Sequence, residues 1–327
     1  MKAILIGTDK QLIWTDVPDP VMQDDEVLID IHAAALNRAD LMQRAGQYPP
    51  PPGCPEWMGL EVSGIVRQVG PVAARNSAWK PGDEVCALLG GGGYAEAVSV
   101  RYDMLMPIPD GISLVEAAAL PEAFATAYLN LFIEGQAQPG ETLLMHAGAS
   151  GLASVVIPMA RSFGLRVITS VLTAEKARSI AHLHADVIID SSCQRTADVL
   201  REQSELGFPV SLAIDCLGSE SMGECLPYLA RGARWIMIAT LAGDLTEINL
   251  RTIYTRGIRL IGSTLRSRPP EVKAKILAGL VAKVWPRVTS GDVRPTVYRV
   301  LPIQQAEEAH AILERGEHVG KVILTVR

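Results

Sequence analysis

The sequence predicts a two-domain α/β protein, made of a β-barrel or partly open sheet and a doubly wound parallel sheet. Three observations lead to this prediction. The chain has 327 residues, which is enough for two hydrophobic cores. Residues 1 to about 120 read as short strands separated by glycine and proline, a pattern typical of a compact β domain. From about residue 121, apolar runs alternate with segments of helical spacing, as in a parallel sheet covered on both faces.

The first region contains runs of strand-forming residues flanked by turn residues. The predicted strands are Lys2–Ile6, Glu26–Ala34, Glu61–Val69, Glu84–Leu88 and Ala95–Val100. Glycine and proline clusters such as Pro49–Gly53 and Gly90–Gly93 separate them. Because Gly90–Gly93 does not open a helix, we expect a flexible turn there rather than a phosphate-binding loop.

The middle region alternates strands with helices, and the tail returns to mixed character. Strands are predicted at Thr142–Ala147, Arg166–Val171, Val187–Asp190, Ser211–Cys216, Ala233–Thr240 and Ile258–Gly262. Helices are predicted at Leu152–Phe163, Thr173–Leu183 and Ser219–Leu229. The tail is predicted to contain helices Pro270–Thr289 and Ile303–Glu314 and strands Thr296–Leu301 and Gly320–Val326. We therefore expect residues 121–262 to form the parallel-sheet domain, and residues 1–120 and 263–327 to form the other.

Composition narrows the class of protein. Hydrophobic residues make up 48% of the chain and charged residues 20%, with a net charge of -6 and a pI of about 5.6. A mildly acidic chain lacks the basic footprint that nucleic acids and anionic lipids require, so we expect neither as a partner. The sequence contains no run of about 18 apolar residues, so it predicts no membrane span. The N-terminus does not resemble a secretory signal. The five scattered cysteines favour a reduced, cytoplasmic setting.

A glycine turn follows the first predicted strand of the middle region. The segment reads His146-Ala-Gly-Ala-Ser-Gly-Leu-Ala153 and precedes a predicted helix. Gly148 and Gly151 permit a tight turn and a close approach to a diphosphate, and the helix adds unpaired N–H groups and its positive dipole end. On its own the motif could be a glycine turn of any α/β protein. The six alternating strands around it favour dinucleotide binding.

The end of the second strand of this region indicates which dinucleotide binds. Folds that prefer NAD place Asp or Glu there to bind the ribose diol, whereas residues 169–172 read Thr-Ser-Val-Leu. Without that carboxylate a 2′-phosphate meets no repulsion. Lys176 could pair with the phosphate and Ser170 could donate a hydrogen bond to it, although Lys176 could also be a solvated surface lysine. The sequence therefore favours NADPH.

The sequence predicts no metal site. Catalytic zinc in dehydrogenases of this outline needs Cys or His ligands near Glu61, and the segment there reads Gly-Leu-Glu. Cys54 and Cys86 have no partnering cluster. Without zinc, hydrogen bonds must polarise the substrate.

The segment from Asn37 to Tyr48 offers groups that could orient a substrate. Asn37 could hold a ribose, phosphate or substrate oxygen, and Tyr48 could donate its phenolic proton to a carbonyl. Asp40 is a further catalytic candidate. The alternatives are that Asn37 and Asp40 cap a helix after the strand, and that Tyr48 packs on the proline-rich loop that follows it.

Together these motifs resemble the zeta-crystallin-like, zinc-free quinone oxidoreductases of the medium-chain dehydrogenase/reductase superfamily. The resemblance covers essentially the whole chain. Its most specific parts are Asn37–Gly53 (NRADLMQRAGQYPPPPG), Gly59–Gly64 (GLEVSG), Ala118–Ala127 (AALPEAFATA), His146–Gly151 (HAGASG) and Thr264–Arg268 (TLRSR). It implies a GroES-like β-barrel catalytic domain and a Rossmann domain, and it implies that NADPH reduces a quinone. Relatives are often homodimers joined through edge strands of their Rossmann sheets.

The resemblance also implies roles for individual residues. Asn37 and Tyr48 would face the nicotinamide and substrate, and Thr126 would contact the nicotinamide side of the cofactor. Ser170 and Lys176 would surround the 2′-phosphate. The diphosphate would be held by Gly148, Ala149, Ser150, Gly151 and Leu152, and the cofactor groove would be lined by Ile238, Ala239, Leu265, Arg266 and Ser267.

Two positions depart from the family pattern. Ala153 replaces a glycine that is usual in the family. Ser191 replaces a tyrosine that relatives often carry near the adenosine phosphate, so Lys176 would act there without that partner. The sequence thus predicts an NADPH:quinone reductase. Two alternatives stay open: an NADPH-dependent enone or enoyl (alkenal) reductase, and a non-catalytic NADPH-binding protein.

Overall fold

The computed structural model describes residues 1–327, with the side chain of Glu220 excepted. Internal contacts divide the chain into two compact units. The barrel unit comprises Met1–Ala125, Arg266–Ser290 and Pro295–Arg327, and the nucleotide unit comprises Thr126–Leu265 and Gly291–Arg294. The predicted divisions, after residue 120 and before residue 263, lie close to these. The tail belongs mostly to the barrel unit, so this domain is discontinuous in sequence.

The barrel unit is built on one seven-stranded sheet and a small two-stranded sheet. Its strands are β1 (Lys2–Ile6), β2 (Leu12–Asp16), β3 (Glu26–Ala35), β4 (Glu61–Val69), β5 (Glu84–Leu88), β6 (Ala97–Arg101), β7 (Leu105–Pro107), β14 (Val297–Pro302) and β15 (Lys321–Thr325). Its helices are α1 (Arg38–Ala45), α2 (Pro71–Asn76), α3 (Leu114–Ala117), α10 (Pro270–Thr289) and α11 (Ala306–Arg315), and α4 (Pro121–Tyr128) runs across the division of the units.

Strand β3 organises this sheet. It has ten residues and pairs with β4 along one edge. Its other edge pairs with β6 over Glu26–Asp30 and with β15 over Ala33–Ala35. β3 is therefore paired along both of its edges and lies in the interior of the sheet. The enclosed core includes Ile29, Ile31 and Tyr94, none of which is exposed.

The nucleotide unit is one six-stranded parallel sheet with the order β10-β9-β8-β11-β12-β13. The strands are β8 (Thr142–Met145), β9 (Arg166–Val171), β10 (Val187–Asp190), β11 (Leu212–Asp215), β12 (Arg234–Met237) and β13 (Arg259–Gly262). The helices are α5 (Ala153–Ser162), α6 (Ala174–Ser179), α7 (Thr196–Glu205), α8 (Glu220–Cys225) and α9 (Leu250–Arg256), and a π-helical turn at Leu129–Glu134 follows α4.

The strands of this sheet are apolar because the sheet is covered on both faces. Leu144, Ile168, Ile189 and Trp235 are fully buried in its core. The chain runs outward from β8 to β10, then returns to β11 on the other side of β8. This reversal of strand order is the mark of a doubly wound sheet, so that part of the prediction is confirmed.

Within the described part of the chain, no helix combines the length and the apolar character that crossing a bilayer requires. The five cysteines are free thiols.

Candidate functional site

The glycine turn between β8 and α5 lies where the strand order of the parallel sheet reverses. β8 pairs with β9 on one side and with β11 on the other. Doubly wound sheets bind their ligands at this point, beyond the carboxyl ends of the strands. The structure therefore places the predicted diphosphate-binding residues at the expected edge of the sheet.

Gly148 allows this turn to pack directly on β9. Its N–H donates a hydrogen bond of 2.8 Å to the carbonyl of Ser170. A Cβ atom on Gly148 would lie 2.5 Å from Thr169 Oγ1 and 2.9 Å from Ile180 Cδ1. Only glycine fits at this distance, because any side chain would push the turn away from the sheet.

The turn presents backbone N–H groups that other parts of the chain leave unused. Among the described residues, no group accepts a hydrogen bond from the amides of Ala149, Gly151 or Leu152. Helix α5 has no side-chain cap at Leu152, while Ser150 Oγ accepts from the Ala153 N–H at 3.1 Å. Unpaired amides at a half-exposed helix start form an anion site. The chemistry of this turn therefore fits a diphosphate.

Ser170 lies beneath the turn, at the end of β9. Its side chain is 3% exposed, and its hydroxyl lies 2.9 Å from His146 Nδ1. His146 is also buried, and burial lowers the pKa of its imidazole, so the ring is neutral at pH 7. His146 Nε2 has no partner among the described groups. The predicted contact of Ser170 with a 2′-phosphate stays a prediction.

The ends of the next two strands come together beside this turn. The N–H of Ser191 donates to the carbonyl of Val171 at 2.8 Å, which joins the end of β10 to the end of β9. Lys176 lies half-exposed on α6. The residue before this helix, Thr173, caps it with its side chain. Ser170 thus lies at the carboxyl end of β9, and Lys176 and Ser191 follow the carboxyl ends of β9 and β10.

A groove continues along the same edge of the sheet. A cavity of about 390 Å³ is lined by residues that follow β12 and β13: Met237, Ile238, Ala239, Thr240, Gly262, Ser263 and Thr264. Ser263 Oγ is buried in this region without a hydrogen-bond partner among the described groups. The structure therefore places Ile238 and Ala239 in one groove, and Leu265 is buried. The contact of these three residues with the cofactor stays a prediction.

In the barrel unit, Asn37 is held from both ends of its amide. Its Nδ2 donates to Glu61 Oε1 at 3.0 Å, and its Oδ1 accepts from Lys321 Nζ at 2.8 Å. Lys321 and Glu61 also form an ion pair of 2.6 Å, and their side chains are 4% and 0% exposed. These contacts fix the orientation of the Asn37 amide and leave one lone pair of its oxygen for another donor.

Asp40 lies deeper, at 1% exposure. Its carboxylate accepts from the N–H groups of Asn37 at 2.8 Å and Gly59 at 3.0 Å, and from the phenol of Tyr94 at 3.3 Å. Burial raises the pKa of this carboxyl to about 6. The capping alternative therefore describes the Asp40 contacts, because the carboxylate holds the start of α1.

Tyr48 lies in the loop after α1, where Arg266 fixes it. The Arg266 guanidinium lies 4.8 Å from the centre of the Tyr48 ring and donates to the Tyr48 carbonyl at 3.3 Å. The same guanidinium donates to Gly90 O at 2.9 Å and to Gln43 Oε1 at 2.7 Å. Arg266 is 5% exposed and directs its donors to the barrel unit, so its predicted cofactor contact stays a prediction.

The two remaining predicted residues, Thr126 and Ser267, lie close in sequence to the divisions between the two units. Thr126 is half-buried in α4, and its carbonyl accepts from Asn130 Nδ2 at 2.8 Å. Ser267 is exposed next to Arg266. The structure thus groups the predicted residues into two sets, one in each unit: Asn37, Asp40, Tyr48 and Arg266 in the barrel unit, and the turn and groove residues in the nucleotide unit.

Sequence reasoning missed the charged residues that surround Asn37 and Tyr48. Glu61 and Lys321 are buried partners of Asn37. Burial and the charge of Glu122 raise the pKa of the Tyr48 phenol, while the charge of Arg266 opposes that shift, and burial lowers the pKa of the Lys273 ammonium. Glu61 and Glu122 stand within the family motifs GLEVSG and AALPEAFATA, which was the only available signal. Nothing in the sequence connects Lys273 or Lys321 to this site, since both arrive from the tail.

Within the part of the chain that the structure describes, no three His, Cys, Asp or Glu side chains form a group that could hold a metal ion. The absence of a metal site stays a prediction.

We predict that R266K loosens the Tyr48 loop. A lysine ammonium cannot span three acceptors as the planar guanidinium does, so the free energy of unfolding should fall by about 2 kcal/mol. Denaturant unfolding measures this change. The matched control is R75K in α2, where the arginine is exposed and the effect should stay within about 0.5 kcal/mol. Equal stability of R266K and R75K would show that Arg266 does not fix the loop.

Two family models match the chain. The alcohol dehydrogenase GroES-like domain matches residues 23–110, and the zinc-binding dehydrogenase model matches residues 183–324. Quinone oxidoreductase of Mus musculus is 29% identical over 331 residues, covering 99% of this chain and 97% of the mouse protein.

Solved structures agree with these matches. The quinone oxidoreductase of Thermus thermophilus, solved also in complex with NADPH, is 30% identical with a TM-score of 0.82 and full coverage of both chains. The CurF ER cyclopropanase from the curacin A biosynthetic pathway is 25% identical with a TM-score of 0.85, covering 99% of this chain and 98% of that one. The expected GroES-like and Rossmann architecture is confirmed. The chain therefore belongs to the quinone oxidoreductase family of the medium-chain dehydrogenase/reductase superfamily.

Proposed function

We propose that this oxidoreductase uses NADPH to reduce a quinone. The observation that carries the proposal is the glycine turn at the reversal of strand order, where the described residues leave three amides unused at the start of α5. Unused amides at a helix start are a site for a dinucleotide diphosphate. The family membership and the NADPH complex of the Thermus relative support the same interpretation.

In this proposal, different residues of the nucleotide unit bind different parts of the cofactor. Ala149, Gly151 and Leu152 hold the diphosphate through their amides. Ser170 lies at the end of β9 and Lys176 on α6, the helix that follows it. An Asp or Glu at the end of β9 would be needed for NAD, and the absence of such an acid favours a 2′-phosphate. Ile238 and Ala239 line the groove that would hold the rest of the cofactor. When bound, NADPH supplies the hydride.

The barrel unit orients the acceptor. The Asn37 amide is fixed by Glu61 and Lys321, so its remaining lone pair points in one defined direction. Burial raises the pKa of the Tyr48 phenol, so the phenol keeps its proton at pH 7 and can donate it to a carbonyl oxygen. Asp40 is a positioning residue, because it acts through the N–H groups of Asn37 and Gly59.

A second candidate function is reduction of an enone or enoyl thioester by the same cofactor. The likeness to the CurF protein supports it, and the protonated phenol of Tyr48 could serve a carbon atom as well as an oxygen. Quinone reduction is favoured because a net charge of -6 does not support the basic surface that a coenzyme A tail would need. A non-catalytic NADPH-binding protein is the third candidate.

One assay separates these candidates. Purified protein is mixed with NADPH or NADH and a panel of quinones and enones, and loss of reduced nicotinamide absorbance is followed. We expect fast NADPH oxidation with quinones, slower oxidation with NADH, and little with enones. Enone turnover with inert quinones would favour the second candidate, and NADPH binding without oxidation in any mixture would favour the third.

The variant Y48F tests the proton role. Losing the phenolic donor should lower kcat by about tenfold with quinones and by about 100-fold with enones, where a proton must reach carbon. The control is Y298F, because Tyr298 is exposed on β14. Quinone turnover that is the same in Y48F and in the unmodified chain would exclude Tyr48 as the donor.

We also propose that two copies pair through β13, which is an edge strand of the parallel sheet. Leu260 on β13 is 43% exposed, and Leu250 and Tyr254 on α9 are 75% and 71% exposed. Open edges with apolar neighbours pair with another strand, and a two-fold axis makes that pairing self-complementary.

The predicted cytoplasmic setting stays a prediction.

Light scattering tests this dimer. The unmodified chain should show twice its mass of 35.1 kDa, and L260K should show the mass of one chain because a buried lysine would oppose its own copy. V21K is the control, since Val21 is 81% exposed in the barrel unit. A monomeric unmodified chain would contradict the proposal.

A further inference from the structure

Tyr94 is a buried phenol that contacts two further buried polar side chains. It lies in the loop before β6, where its N–H donates to Met58 O at 2.9 Å and its carbonyl accepts from the Ile4 N–H at 2.8 Å. Its hydroxyl lies 3.3 Å from Asp40 Oδ2 and 3.4 Å from His310 Nε2. Asp40 is 1% exposed, and Tyr94 and His310 are fully buried. Hydrogen bonds therefore connect α11 to α1 through the core of the barrel unit.

The donors of this chain of hydrogen bonds all point towards Asp40. Burial raises the pKa of the Tyr94 phenol, so the phenol keeps its single proton at pH 7. A carboxylate can only accept, so Tyr94 donates this proton to Asp40, and the phenol oxygen accepts from Nε2–H of His310. Burial, followed by the charge of Arg44, lowers the pKa of the His310 imidazole to about 3, so the ring is neutral. His310 Nδ1, which has no hydrogen-bond partner among the described groups, then carries no proton.

The Asp40 carboxylate joins two segments of the acceptor site. It accepts from the N–H of Asn37, before α1, at 2.8 Å and from the N–H of Gly59, before β4, at 3.0 Å. The same two segments meet again where Asn37 Nδ2 donates to Glu61 Oε1 at 3.0 Å. The spacing that lets Glu61 orient the Asn37 amide is therefore set by the position of the Asp40 carboxylate.

Gly59 brings the Tyr94 segment against the start of β4. Its φ is +103°, and a Cβ atom there would lie 2.6 Å from Gly93 Cα and from Tyr94 N. Only glycine fits this conformation and this distance. The backbone of Tyr94 is therefore held beside the residue whose N–H donates to Asp40.

We propose that Tyr94 and His310 are positioning residues of the acceptor site, which hold the Asp40 carboxylate where it fixes Asn37 and Gly59. The inference rests on the proposed function, in which Asn37 orients the acceptor. Tyr94 and His310 are fully buried, so both act through Asp40 rather than on the acceptor itself.

Protonation of Asp40 would weaken this arrangement. Burial outweighs the hydrogen bonds and the charge of Lys321, and it raises the pKa of the carboxyl from 3.8 to about 6. Below that pH one oxygen carries a proton and can no longer serve its donors as a carboxylate does. The titratable groups linked to Asp40 by contact or by charge come from the Tyr94 loop, α11, β15, β4 and α4; they are Tyr94, His310, Lys321, Glu61 and Glu122.

The first test is the pH dependence of kcat/KM in Y94F, with the acceptor that the unmodified chain reduces fastest. The unmodified value should fall as pH falls through about 6. Without the phenolic donor the carboxylate is less stable, so in Y94F this limb should lie about one pH unit higher. Y94F should then be about fivefold slower than the unmodified chain at pH 6 and equal to it at pH 8.

The control for this profile is Y298F, because Tyr298 is exposed on β14, and its limb should stay in place. A loss in Y94F that is the same at pH 6 and pH 8 would show a purely structural role for Tyr94 and would overturn the proposal.

Two variants of His310 test the far end of the chain. The side-chain amide of H310Q can donate in place of Nε2–H, so its limb should match that of the unmodified chain. H310L leaves the phenol oxygen without a donor, and its limb should move up by about half a pH unit. Nitrogen NMR of the ¹⁵N-histidine-labelled protein, with the signals identified by their loss in H310Q, should show a neutral His310 ring protonated on Nε2 at pH 7. A proton on Nδ1 would reverse the chain and overturn the role of His310.

A titration without turnover separates this inference from the proposed function. In protein labelled with ¹³C at the aspartate carboxyls, one carboxyl signal should titrate near pH 6. That signal should titrate near pH 7 in Y94F and stay near pH 6 in Y298F. A signal that does not move in Y94F would overturn the proposal, whatever the activity. If the signal moves but no acceptor is reduced, the link from Tyr94 to Asp40 stands and the proposed function fails.

Discussion

The buried ion pair between Lys321 and Glu61 is the interaction on which the barrel unit's site depends. Both side chains are almost fully buried and lie 2.6 Å apart. Two buried charges are costly unless every remaining donor and acceptor is satisfied. Lys321 therefore also donates to Leu36 O and Asn37 Oδ1, and Glu61 accepts from Asn37 Nδ2 and from the Glu122 N–H.

This requirement fixes three chain segments at once. The start of α1 is held through Asn37, the start of α4 through Glu122, and the tail through β15, which carries Lys321. It also gives a reason for the return of the tail to the barrel unit, since β15 completes both the edge of β3 and the ion pair. Asn37, which is proposed to orient the acceptor, and the start of α4 are thus anchored on the same carboxylate.

The nucleotide unit depends on a steric constraint instead. Gly148 brings the turn within hydrogen-bond distance of β9, and the space for a Cβ atom is already filled by Thr169 and Ile180. The turn must therefore follow the end of the sheet, and the amides of Ala149, Gly151 and Leu152 have no acceptor among the described residues. Backbone geometry, rather than any side chain, makes this edge suitable for a diphosphate.

The sequence predicted best those elements whose apolar runs end at turn residues. The predicted bounds of β1, β4, β5, β9, β10 and α10 coincide with the observed ones. Helix α7 was missed because its apolar residues are few and most of its other positions are polar. The strand predicted over Thr142–Ala147 ends at Met145, since the glycine turn begins earlier than the apolar run suggests.

Long-range polar contacts could not be predicted from the sequence, for a different reason. The glycine turn is a local pattern of eight residues, so spacing reveals it. Arg266 and Tyr48 meet across 218 positions, and Lys321 and Asn37 across 284. Periodicity carries no information about such pairs, because they form only when the tail folds back onto the barrel unit.

Calorimetric titration of the purified chain with NADPH and NADH is the decisive measurement, because it asks whether the carboxyl edge of the parallel sheet binds a phosphorylated dinucleotide. We expect NADPH to bind about tenfold more tightly than NADH, the effect of one charge-assisted contact. K176A should abolish this preference, whereas K80A, at an exposed lysine of the barrel unit, should keep it. Equal affinity for both dinucleotides, or a preference unchanged in K176A, would contradict the assignment of this edge to the 2′-phosphate.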